Sequence, residues 1–160
     1  MSQTTPSAPA FYEQTWDLSY KHALGETTGR FLAALQEERL LGRRCPKCSR
    51  VLVPARSFCD RCNVATEDWV DVGPGAVIEM FTIIYEPFKG LPEPPYALVY
   101  ATPDGASTAL VGYLRGVDLN DTEAAVKQLA IGGRVITRFT DQPTGTVADY
   151  WFELDRGQSQ

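Results

Sequence analysis

Two cysteine pairs constrain this chain more than any other feature. They read Cys45-Pro46-Lys47-Cys48 and Cys59-Asp60-Arg61-Cys62, with ten residues between the pairs, and they contain all four cysteines of the chain. Two residues between cysteines allow a tight knuckle that aims both sulfurs at one ion. Two knuckles supply four soft thiolates in a tetrahedron, which suits Zn²⁺ at a Zn–S distance of about 2.3 Å. Such a set is closed to water, so the metal is expected to fold the segment rather than to perform chemistry. A lone CxxC would equally suit a redox pair, and a rubredoxin-like iron takes the same four ligands; the matched pair at ribbon spacing favours structural zinc. Arg44, Lys47, Arg50, Arg56 and Arg61 surround the cysteines in sequence and can offset the negative charge of the tetrathiolate.

The rest of the chain sets the class. Its 160 residues suit one domain or two small modules, and a composition 44% hydrophobic and 22% charged is that of a globular protein with a core. A net charge of −5 matches nucleic-acid backbones poorly, which makes nucleic-acid binding the weaker prospect. Residues 1–10 carry neither a basic n-region nor an apolar stretch and read as a disordered leader rather than a signal peptide. No run approaches the roughly 20 apolar residues of a membrane span. Disulfide frameworks belong to secreted chains, so clustered cysteines without a signal peptide point to the cytoplasm.

Four regions follow from the pattern. After the leader, residues 11–42 read as a helical arm. Its first part carries Phe11, Tyr12, Trp16, Leu18 and Tyr20. Its second part is a helix that Thr27 or Thr28 can cap, with apolar positions Phe31, Leu32, Leu35, Leu40 and Leu41 and Gly42 as its stop. Residues 43–68 form the zinc ribbon, and residues 69–156 form a β domain. Within it, 76–85, 96–102, 108–114, 134–140 and 146–154 are rich in Val, Ile, Tyr, Phe and Thr. Asp104-Gly105 suits a tight hairpin turn, and residues 120–130 suit a short helix. Five strands with a helix between the third and fourth is the order of an OB barrel. The expected fold is therefore mainly β: an N-terminal helical arm, a rubredoxin-like zinc ribbon with four cysteine ligands, and a five-stranded OB-fold barrel.

These elements, in this order and with particular local strings, resemble a known family. The strings are Leu41-Gly42-Arg43-Arg44-Cys45-Pro46-Lys47-Cys48 and Val53-Pro54-Ala55-Arg56-Ser57-Phe58-Cys59. To these add Gly73-Pro74-Gly75-Ala76-Val77 and Ile131-Gly132-Gly133-Arg134-Val135, which lead into the first and fourth barrel strands. The chain is similar, over about residues 11–154, to the zinc-ribbon/OB-fold acyl-CoA-associated accessory proteins, a domain-of-unknown-function family. That resemblance implies a non-catalytic partner of a thiolase-superfamily enzyme: a thiolase, an acyl-CoA synthase of related fold or a steroid side-chain retro-aldolase. It further implies that the chain packs on the enzyme and helps shape a CoA and acyl tunnel.

The residue inventory fits a chain without its own catalytic centre. The single histidine, His22, falls in the arm, where a surface or interface role is the plainer one. The cysteines are committed to metal, and Gly73-Pro74-Gly75 is too short to cradle a phosphate and carries a proline lacking an N–H. Coenzyme A needs only a few cations, and Arg43, Arg44, Lys47 and Arg56 are the candidates for its phosphates. Trp16, Tyr20, Phe31 and Leu35 of the arm, with Phe88 of the proline-rich loop 86–96, are the candidates for a partner interface. Two rival functions remain: a single-stranded nucleic-acid binder, which requires a basic groove with stacking aromatics, and a free-standing acyl-CoA binding protein.

Overall fold

The computed structural model describes residue 14 and residues 17–157. Helix α1 spans Gly25–Gln36 and buries Phe31, Ala34 and Leu35, the i, i+3, i+4 stripe of an amphipathic helix. It begins earlier and ends sooner than the sequence pattern suggests. Leu24 holds the N-cap position without a side-chain cap, so neither Thr27 nor Thr28 serves there. At the other end Glu38 turns left-handed at φ 55°, and Arg39 N–H donates to the Ala34 carbonyl at 3.0 Å. Leu40 and Leu41 therefore leave the helix and open strand β1, Leu40–Arg44. The helical reading of residues 37–42 is corrected on this ground, and residues 17–24 are likewise non-helical.

Strands β1, β2 (Val51–Leu52) and β3 (Trp69–Val72) form a three-stranded antiparallel sheet in the order β2-β1-β3. Trp69–Val72 thus pairs with the ribbon, Leu40 facing Val72 and Arg43 facing Trp69. Gly42 is not a helix stop but a contact point within this sheet. A Cβ there would sit 2.5 Å from Val51 Cγ1 and 2.9 Å from Val53 Cγ2. Gly42→Ala is accordingly expected to cost about 1–3 kcal/mol through overpacking, read as a lowered urea midpoint at unchanged m-value.

The remaining strands close a barrel. These are β4 (Gly75–Ile84), β5 (Tyr96–Pro103), β6 (Leu110–Arg115), β7 (Arg134–Phe139) and β8 (Tyr150–Leu154), in the order β4-β5-β6-β8-β7. Every pairing is antiparallel except β6 with β8. Helix α2, Thr122–Gln128, lies between β6 and β7, and Asp121 caps it by accepting from Ala124 N–H at 3.0 Å. This is the OB arrangement. The turn at Asp104-Gly105 exists, with Ala106 N–H donating to Pro103 O at 2.9 Å, but it belongs to a longer link over residues 104–109.

One apolar core runs through helix, ribbon and barrel. It joins Phe31 and Leu35 of α1 to Leu40, Val51 and Val53 of the ribbon. From there it continues into Ile78, Val99, Leu110, Val135 and Phe152 of the barrel. Polar contacts reinforce the junction. The Thr108 hydroxyl accepts from Val53 N–H and donates to Val53 O, both at 2.7 Å, and Ser107 N–H donates to Val51 O at 2.8 Å. Among the described residues no helix is long and apolar enough to cross a membrane.

Candidate metal centre and an apolar groove

The two knuckles repeat one backbone design. In the first, Ser49 N–H donates to Cys45 O at 2.9 Å and Cys45 N–H to Arg50 O at 2.8 Å. In the second, Asn63 N–H donates to Cys59 O at 2.9 Å and Cys59 N–H to Val64 O at 2.9 Å. Each turn is closed by a residue in the left-handed region directly after its second cysteine, Ser49 at φ 59° and Asn63 at φ 52°. Asn tolerates that conformation, and a β-branched residue would not. Arg50 bridges the knuckles through Asp60 at 3.1 Å.

The ligand atoms of Cys45, Cys48, Cys59 and Cys62 all lie within 4.8 Å of one another. Cys48 Sγ and Cys59 Sγ are 3.8 Å apart. Zn–S bonds of about 2.3 Å make the edge of a regular tetrahedron about 3.8 Å, so the Cys48–Cys59 edge already has the length that zinc requires. Cys45 and Cys59 are buried with Leu52 in a small cluster of their own, and the pair Cys48 and Cys62 is half-buried. Desolvation and the neighbouring sulfurs push the Cys62 thiol up to about 12. Cysteines bind zinc as thiolates, so loading such a cage releases protons. The site is a structural zinc centre with four cysteine ligands.

The basic residues near it divide into engaged and free. Arg43 is half-buried, lies 4.8 Å from the Trp69 ring centroid and donates to the Thr66 carbonyl. Arg44 donates to Ser49 O at 3.5 Å. Lys47 and Arg56 are exposed. The interface candidates also separate. Phe31 and Leu35 are 3% and 0% exposed in the chain's own core, which corrects their assignment to a partner surface. Tyr20 and Phe88 are 81% and 58% exposed, whereas Trp16 lies outside the described residues. His22 is exposed.

A second feature escaped the sequence reading. On the outer face of the barrel, Leu98 faces Tyr113 and Tyr100 faces Val111 across β5 and β6. With Val147, Tyr150, Pro54 and Arg56 they line a groove of about 470 Å³. These are the second and third barrel strands, the face on which OB folds bind their ligands. Its wall is apolar and aromatic, and Arg56 is its one charged lining residue among those described. The signal was present: β5 and β6 carry apolar residues at outward as well as inward positions, where a barrel wall facing water alternates. Loop 140–149 forms one side of the groove, and its shape is set by Asp149. That carboxylate accepts from Thr144, Gly145 and Thr146 N–H at 2.9, 2.6 and 2.8 Å and from both threonine hydroxyls.

Fold and site together define a four-cysteine zinc ribbon joined to an OB barrel. Residues 32–66 match a family model described as the ChsH2 rubredoxin-like zinc ribbon domain. A crystal structure of a protein of unknown function from the DUF35 family of Sulfolobus solfataricus matches at TM-score 0.61 and 23% identity. The match covers 82% of this chain and 87% of that one. A chain of a solved Ltp2–ChsH2(DUF35) aldolase matches at TM-score 0.64 and 19% identity, covering 84% of this chain and 98% of that one. The fold is that of the DUF35 zinc-ribbon/OB proteins. A search of curated proteins gives no match.

Proposed function

We propose that this chain is a non-catalytic accessory subunit of a CoA-dependent enzyme of the thiolase superfamily, working in the cytoplasm on lipid or steroid acyl-CoA substrates. The observation that carries this reading is the likeness to a chain of the Ltp2–ChsH2(DUF35) aldolase over 98% of that chain's length. In this reading zinc holds the ribbon rigid, the ribbon and the exposed loop bearing Phe88 meet the enzyme, and the barrel borders its acyl tunnel. The groove supports the acyl part, since its wall suits a hydrocarbon chain, and exposed Arg56 at its margin suits a phosphate of coenzyme A. Lys47 is the second cation free to serve, while Arg43 and Arg44 are held by the ribbon itself. Thiolysis, Claisen condensation and retro-aldol cleavage all remain compatible.

The same groove speaks against the nucleic-acid reading, because stacking surfaces for single strands are normally flanked by several cations and among the described residues this one is lined by Arg56 alone. The test is affinity capture of the tagged chain from its native host. A thiolase-fold enzyme should co-elute near stoichiometrically, and Phe88→Asp should reduce its recovery at least about tenfold if the loop is central to the interface. Recovery of nucleic acid, or of no enzyme, would reject the accessory role.

A further inference from the structure

Loop 140–149 is a stiff piece of chain with few ties to the rest of the molecule. Within it the Asp149 carboxylate gathers the amides of Thr144, Gly145 and Thr146, and Asp149 N–H donates to Thr146 O at 3.1 Å. These bonds span at most five residues, so they fix the loop's shape but not its position. At its base the loop continues the β7–β8 ladder, where Phe139 faces Tyr150. Beyond that, among the described residues, one hydrogen bond ties residues 141–149 to a distant segment. Gln36 Nε2, at the last residue of α1, donates to Thr144 O at 3.0 Å. Gly145, at φ +82°, lies flat against the same side chain, since a Cβ there would stand 3.0 Å from Gln36 Nε2 and 3.2 Å from its Cγ. Val147, two residues further on, lines the groove together with Val111 and Tyr113 of β6.

We propose, on the acyl role given to the groove above and independently of the enzyme, that Gln36 is a positioning residue for the groove. It holds the Val147 wall at its working distance from β6, so a contact made outside the groove sets how tightly an apolar chain is gripped inside it. The base of the wall has its own anchor, because the Tyr150 hydroxyl donates to Val111 O at 2.7 Å and keeps that end on β6. The tip, residues 144–147, has Gln36 instead. A piece folded around its own carboxylate moves as a body when its one outside bond is lost, and Val147 moves with it. Helix α1 also carries Phe31 and Leu35 of the common core, so the end of the helix that holds the wall is itself fixed to ribbon and barrel.

The test uses the full chain, zinc-loaded, and the neutral apolar dye N-phenyl-1-naphthylamine, with affinity read by fluorescence titration. A neutral dye keeps the charge of a substituted side chain out of the measurement. The native chain should bind it, and Val111→Asp, at a 44% exposed position of the wall, should abolish binding and so place the dye in the groove. Gln36 is exposed, so Gln36→Met keeps bulk against Gly145, removes the donor and leaves the core alone. Its dye affinity should fall about threefold, within the roughly fivefold that one hydrogen bond of about 1 kcal/mol can transmit. Its melting temperature should fall by no more than about 4 °C. Gln36→Lys restores a donor of adequate length and should bind the dye as the native chain does. Native affinity in Gln36→Met would overturn the proposal, as would Gln36→Lys binding as weakly as Gln36→Met. So would a native chain that binds no dye, or binding retained in Val111→Asp. Capture of an enzyme from the host is a separate measurement, and its failure would reject the accessory role while leaving the dye result standing.

Discussion

Cys59→Ser is expected to yield a chain that retains no zinc and melts about 10–20 °C lower, well beyond what the ribbon alone would suggest. Cys59 is fully buried and its sulfur sits 3.8 Å from Cys48 Sγ, so a hydroxyl there loses the thiolate and leaves three others crowded without a complete cage. Metal binding of this kind supplies folding free energy directly, on the order of 10 kcal/mol for small zinc modules. The cost spreads because Val51 and Val53, on and just after the strand between the two knuckles, belong to the same core as Phe152 of the barrel. Metal analysis and thermal circular dichroism check this. Arg61→Ala, at an exposed position beside Cys62, is the control and should leave both nearly unchanged. A chelator should reproduce the Cys59→Ser melting curve in the native chain.

The second large effect is expected at Asp149. Its carboxylate is 4% exposed and accepts three backbone amides and two hydroxyls. Asp149→Asn removes the charge: its one oxygen can still face the three amides but as a neutral acceptor, and the nitrogen that replaces the other oxygen cannot accept from the two threonine hydroxyls. A loss of about 2–3 kcal/mol follows, and the melting temperature should fall by roughly 5–10 °C. The pH dependence has a definite sign. Burial pushes this carboxyl up, but the amides of Thr146, Thr144 and Gly145 and the Thr144 hydroxyl outweigh it and hold the group below its ordinary value. A depressed carboxyl contributes stability fully above its unfolded value of about 3.9, and that contribution is lost as pH falls through the lower, folded value. Acid titration of the melting temperature should therefore show a steeper decline below about pH 4 in the native chain than in Asp149→Asn.

The cysteine spacing made the metal centre legible, because two residues between ligands leave the backbone little choice. The barrel strands were legible for a similar local reason: β-branched and aromatic runs separated by turn residues. The end of α1 was not. Leu40 and Leu41 continue a helical period, and only the left-handed Glu38 and the pairing of β1 with β3 turn them into a strand. Gly42 had the right position for a helix stop and in fact lets two side chains of the neighbouring segment approach. The last barrel strand begins at Tyr150 rather than at Thr146, since residues 144–149 are folded around the Asp149 carboxylate. Phe31 and Leu35 looked the same as Tyr20 in sequence. Their burial depends on how α1 packs on a core assembled from distant segments, which no local pattern encodes.

The placement of β3 has a practical consequence for anyone dividing the chain. Trp69–Val72 is hydrogen-bonded to β1, yet only Gly73 and Pro74 separate it from the first barrel strand. A cut at Asp68 would strip β3 of its neighbour and the barrel of the cover that Leu40, Val51 and Val53 provide. The fragments would be incomplete halves of a single cooperative unit, and a calorimeter should record one heat-absorption peak for the intact chain.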